Sequence, residues 1–219
     1  MIIDHDLQSY RDRWANSGPN KWNGAFFYSK EIVKNIIPKV KTDRTWVTIN
    51  QPGACYDHSI VFVHNNLHPD RYAWLKSYKD LVLVCGVPQT VEKVKGYAAH
   101  AIYLPLSIDV QDVLRHQRPK TKEAAFVGRT SKMTGCDFPL GCAVLTNLPR
   151  TKLLPAMAEY KTIYAVGSCA IEARALGCEI GAYDPRYPDP HIWQVIDNSE
   201  AAAMLQVMIN DIDKGGKCY

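Results

Sequence analysis

Apolar runs recur along the whole chain, at 45–49, 59–64, 80–85, 101–106, 124–128, 142–146, 162–166 and 179–183. Most are unbroken rather than alternating. A strand with one wet face alternates polar and apolar residues, whereas an unbroken run suits a strand covered on both faces, as in a parallel sheet. Segments of helical pattern lie between many of these runs. One is 29–37, where Ile32, Val33, Ile36 and Ile37 share a stripe; others are 69–78, opened by Pro69, then 88–98, 150–160, 168–176 and 199–212. Parallel neighbours need a crossover between them, usually a helix, so this alternation predicts an α/β fold.

The 219 residues suffice for one large domain or two small ones. The stretch HQRPKTK at 116–122 is basic and polar and holds Pro119, so it reads as a linker. It divides the chain into 1–117 and 118–219, each small for a Rossmann-like domain. One continuous sheet is the alternative. The net charge of +4 is too weak to argue for nucleic acid by itself. The 7 cysteines include no C-x-x-C pair and no zinc spacing, which predicts buried free thiols in a reducing, cytoplasmic setting. No run is long enough to span a membrane, and MIIDHDLQSY does not read as a signal peptide.

The stretch 163–184, IYAVGSCAIEARALGCEIGAYD, carries the most chemistry. It reads as a strand, a Gly167-Ser168 turn, a helix holding Glu172, a stop at Gly177 and a second strand. The mouth of such a helix favours an anion, because unpaired N–H groups and the helix dipole converge there. Ser168 is the expected N-cap. A carboxylate one turn in would accept hydroxyls beside the anion, and phosphate with a sugar hydroxyl outlines a nucleotide. The plainer reading of Glu172 is an exposed helix charge paired with a Lys or Arg.

Ligands bind at the carboxyl ends of strands in parallel sheets, which draws attention to polar groups placed there. Arg129 and Lys132 follow the run 124–128 and suit a diphosphate, or else form a solvated basic turn. His64 follows SIVFV and titrates in a useful range for proton transfer; the alternative is a turn cluster, HNNLHP, ahead of Pro69. Weaker candidates are Asp57 with His58, and Asn50 with Gln51. The loop at 16–24 could face an acceptor, and the aromatic residues Trp14, Trp22, Phe26, Phe27 and Tyr28 around it could stack on a ring or fill the core. The loop from Asp184 to Pro190 should lie on the ligand side of its sheet. No G-x-G-x-x-G follows the early strands, which argues against a nicotinamide-dependent enzyme.

Taken in order, AFVGR (125–129), KLLPAMAEYKTIYAV (152–166) and GSCAIEARALGCEIGAYD (167–184) resemble the C-terminal half of GT-B glycosyltransferases with an E-x7-E signature. SYKDLVLVCGVPQTVEKV (77–94) and YLPLSIDV (103–110), with Asp109, resemble pieces of that family's N-terminal half. The resemblance extends over 57–212. It implies two small Rossmann-like domains facing across a cleft, an acceptor domain at 1–117 and a nucleotide-sugar donor domain at 118–219. It implies that Glu172 accepts the donor's ribose hydroxyls, that Arg129 and Lys132 neutralise its diphosphate, and that Gly167 and Ser168 offer backbone N–H groups. His64 would touch the transferred sugar as a catalytic group. Fixed cations and amides would stabilise the leaving diphosphate without a metal or other cofactor. The acceptor is open between a small molecule, a glycan and modified DNA, the last because some phage DNA glycosyltransferases share the architecture. A homo-oligomer is compatible with all of this. The first acid of E-x7-E falls at Tyr164, which motivates the alternative of a catalytically degenerate binding or scaffold protein of the same fold.

Overall fold

The computed structural model describes residues 1–4, 24–49, 55–63, 69–128, 141–146 and 148–216. They form two compact units, the first built from 1–4, 25–105 and 198–216, the second from 106–197. The fold is α/β, and every strand pairing within the two sheets is parallel.

The first unit is a five-stranded sheet whose strands lie in chain order. They are β1 (Ile2–Asp4), β2 (Thr45–Ile49), β3 (Ser59–Val63), β4 (Val82–Cys85) and β5 (His100–Tyr103). Every residue of β3 and β4 is buried, as their unbroken apolar runs require. One face packs Val47, Val61, Val63, Leu83 and Cys85 against Tyr72, Leu75 and Val94. On β2 and β3, Trp46 and Phe62 stack with ring centroids 6.0 Å apart. Each such large apolar side chain contributes about 1.5–3 kcal/mol through burial.

Helix α1 (Gly24–Glu31) runs into a wider turn over Ile32–Ile36 and a tight one over Ile37–Lys39. The cause is Pro38, which has no N–H to give Lys34 and would crowd its carbonyl. The Ile37 N–H instead bonds the Ile32 carbonyl, one residue further back than in an α-helix. The segment Pro69–Ser77, expected as an α-helix, is a 3₁₀ helix. Its buried Tyr72 and Leu75 are three residues apart, the spacing that a three-fold helix aligns. Helix α2 (Pro88–Val94) follows β4.

The second unit opens with α3 (Val110–Leu114), which the residue pattern did not reveal. The Asp109 carboxylate caps it by accepting the Asp112 N–H at 2.9 Å. Then come β6 (Lys122–Val127), β7 (Ala143–Leu145), α4 (Arg150–Ala158), β8 (Tyr160–Tyr164), α5 (Ser168–Ala175) and β9 (Glu179–Gly181). The sheet order is β7-β6-β8-β9. From β6 the chain steps first to one side and then returns to the other. Only here does a sheet of the described residues reverse its order.

Two expectations change. The stretch 116–122 is not a free linker: Lys120 Nζ donates to the Ala158 carbonyl at 2.9 Å and the Leu176 carbonyl at 2.8 Å, tying down the ends of α4 and α5. The units also do not divide at 117/118, because the last helix, α6 (Asn198–Asp213), packs in the first unit. There Asn198 Nδ2 donates to Glu31 Oε2 at 2.7 Å, and Gln206 Oε1 accepts the Lys41 N–H at 2.6 Å.

Candidate functional site

A parallel sheet offers its ligand site outside the carboxyl ends of the strands, where the strand order reverses. In the second unit that point lies between β6 and β8. The carboxyl end of β6 leads to Gly128, and that of β8 leads through Ala165 and Val166 to Gly167 and α5.

Gly167, rather than Ser168, occupies the N-cap of α5, with φ 67° and ψ −142°. That region is essentially closed to residues with a Cβ. The Gly167 carbonyl accepts the N–H groups of Ala170 at 3.0 Å and Ile171 at 3.2 Å. Ser168 and Cys169 therefore begin the helix, where N–H groups have no intrahelical acceptor. Gly167 and Ser168 stand at the mouth where the sequence puts them. Arg129, Lys132 and His64 lie outside the described residues, as do Asn50, Gln51 and most of the loop at 16–24.

Glu172 is not an exposed helix charge; only 7% of the residue is accessible. Its Oε1 accepts from Arg150 Nε at 2.8 Å, and Arg150 Nη1 donates to Asp112 Oδ2, also at 2.8 Å. Three helices thus send one side chain each to the same place: Asp112 from α3, Arg150 from the start of α4 and Glu172 from α5. Burial opposes the charge on Arg150, but the two carboxylates outweigh it and push its pKa above the ordinary value. The Arg150 hydrogen bond holds the Asp112 carboxyl below the usual range, against a smaller effect of burial. Helical side chains lean toward the helix N-terminus, so the Glu172 carboxylate tilts toward the mouth of α5. Burial, and then the Glu172 charge, push the Cys169 thiol in the first turn up to about 12, while Arg150 works the other way. The Glu172–Arg150 pair therefore stands beside that turn.

Sequence reasoning missed Arg150 and Asp112. Arg150 follows a Pro at a helix start after a strand, which is a readable position. Asp112 sits in a short helix without a readable pattern, 38 residues from its partner.

Tyr164 ends β8 beside Gly181 of β9. A Cβ on Gly181 would lie 2.6 Å from Tyr164 Cδ1, so the ring covers the bare glycine backbone. The loop after β9 is fastened at both ends. Buried Asp184 accepts from Arg186 N and Nε, and the Asp189 carboxylate caps the short helix Pro190–Ile192.

His58 precedes β3 and so lies at the amino end of its sheet, away from the ligand side. It joins a charge cluster in which Nδ1 meets Asp80 Oδ2 at 2.6 Å and Nε2 meets Asp43 Oδ1 at 3.1 Å. Buried Arg44 bonds both Asp80 and Asp213. Asp57 is occupied by the Lys79 N–H. Among the described residues, no group of three or more His, Cys, Asp or Glu side chains is placed to hold a metal ion, and no helix is long and apolar enough to cross a membrane.

The fold and the site define an α/β protein with two parallel sheets and a switch point in the second. Compared with protein-family models, with curated proteins and with solved structures, the chain matches none.

Proposed function

We propose that the second unit binds a nucleotide-activated sugar and that the protein is a compact GT-B-like glycosyltransferase. The observation that carries this reading is the coincidence of the β6/β8 switch point with the Gly167 helix mouth and with the carboxylate of Glu172. The mouth suits the donor diphosphate, and the Glu172 side chain suits ribose hydroxyls. Arg129 and Lys132, which follow β6 in sequence, would add cations to the same end of the sheet. In the transfer, charge builds on the departing diphosphate, and fixed amides and cations oriented before the reaction lower that barrier.

Thermal unfolding with UDP-, GDP- and ADP-sugars tests this. A ligand at a hundred times its Kd adds about 2.7 kcal/mol to the stability of the state that binds it. A rise in Tm with one nucleotide series, reduced in Glu172→Gln, is the expected result. No shift with any of them overturns the reading.

The second reading is a non-catalytic binding or scaffold protein, and Tyr164 favours it: the signature acid is replaced by a ring packed on Gly181. It expects donor binding without turnover. Slow release of free sugar from the bound donor decides for the enzyme. If turnover is seen, salt-dependent duplex binding separates a DNA acceptor from a small molecule or glycan.

A further inference from the structure

We infer that Arg150 and Asp112 form a positioning relay that holds the Glu172 carboxylate in place for hydroxyl recognition; this rests on the nucleotide-sugar reading of the second unit. A glutamate has three rotatable side-chain bonds, and fixing it in one place costs conformational entropy. Arg150 removes that freedom with a charge-assisted bond from Nε to Oε1 at 2.8 Å. Arg150 is itself long and mobile, and Asp112 fixes it by taking Nη1 at 2.8 Å. Asp112 is in turn set by its backbone N–H on the Asp109 carboxylate. The first N–H of α3, from Val110, meets Asp197 Oδ2 at 3.4 Å. The order of exposure agrees with a relay running inward: the side chains of Asp112, Arg150 and Glu172 are 39%, 27% and 9% exposed. The planar guanidinium suits this task, because one edge faces Glu172 while a second nitrogen faces Asp112. A lysine ammonium would keep the charge but not the fork.

A merely structural role for these residues predicts lost stability and nothing else. A positioning role predicts lost discrimination between sugars on the nucleotide. The probe is whichever of UDP-, GDP- and ADP-glucose binds the wild-type protein, compared with its 2′,3′-dideoxyribose analogue by calorimetry. The wild-type protein should prefer the ribose form by about tenfold or more, as expected for a hydroxyl bonded to a charged acceptor. Glu172→Gln should cut that preference to near unity. Arg150→Lys and Asp112→Asn should each cut it several-fold. Combined with Glu172→Gln they should add no further loss. Asp112→Asn changes the most exposed member of the three, so it keeps the test open if the Arg150 variant unfolds. A full ribose preference in folded Arg150→Lys and Asp112→Asn proteins overturns the relay and spares the nucleotide-sugar reading. Absence of any binding to the wild-type protein overturns both.

Discussion

Replacing Arg150 by Met should destabilise the second unit through Glu172 more than through Asp112. The pair Arg150–Glu172 is short, at 2.8 Å, and the Glu172 side chain is 9% exposed. Removing one partner of a buried pair leaves a charge without compensation, which costs about 3–5 kcal/mol. The Arg150–Asp112 pair is equally short, but the Asp112 side chain is 39% exposed. Water replaces most of what is lost there, so that arm adds only about 0.5 kcal/mol. Because the Arg150 side chain is itself 27% exposed, the lower end of the first range applies. The sum is about 3.5 kcal/mol. At about 2–4 °C per kcal/mol for a chain of this size, Tm should fall by about 7–14 °C.

The assay is a double-mutant cycle in urea. Glu172→Gln removes the carboxylate charge and should itself destabilise the wild-type background, because Arg150 then loses its buried partner. In the Arg150→Met background the same change removes a charge that has lost its Arg150 bond and should restore part of the stability. A coupling of about 1–3 kcal/mol is expected for residues in direct contact. If the two effects add to within about 0.5 kcal/mol, the pair carries no interaction energy and the physical account of the site fails.

Gly167→Ala should cost about 1–3 kcal/mol, because its φ of 67° with ψ of −142° is open only to glycine; a Cm in urea unchanged from wild type would refute that geometry. Gly181→Ala should cost about 1–3 kcal/mol through overpacking against the Tyr164 ring, and the cost should vanish in a Tyr164→Ala background. His58 titrates above its ordinary value, first through Asp80 and then through Asp43. A raised folded pKa means that its contribution is complete below about pH 6.5 and is lost as pH rises through the higher folded value. Calorimetric Tm should therefore decline as pH rises above about 6.5, and His58→Asn, which tolerates the local φ of 56°, should flatten that decline. An identical slope in the variant would remove His58 from the account.

What the residues revealed in advance depended on whether the governing interaction was local. Strands β3 and β4 were visible as unbroken apolar runs, since burial on both faces leaves little room for polar residues. Strand β1 is only three residues long and was invisible, because it is a strand solely through pairing with β2. Helix α3 has five residues, too few for a stripe to repeat, and its one local signal is the Asp109 cap. Strand order is a global property, so the reversal at β6/β8 that gives the site its place could not be read from periodicity. The same holds for Glu172. Its position at a helix mouth was legible from Gly167 and the spacing, but its burial depends on Arg150, 22 residues away, and at one remove on Asp112. The misread linker has the same origin: 116–122 has a loop's composition, yet Lys120 serves as the C-terminal cation of two helices that follow it in sequence. A charge that looks solvated in isolation is thus fixed by partners brought in by the topology, and the candidate site is built on that effect.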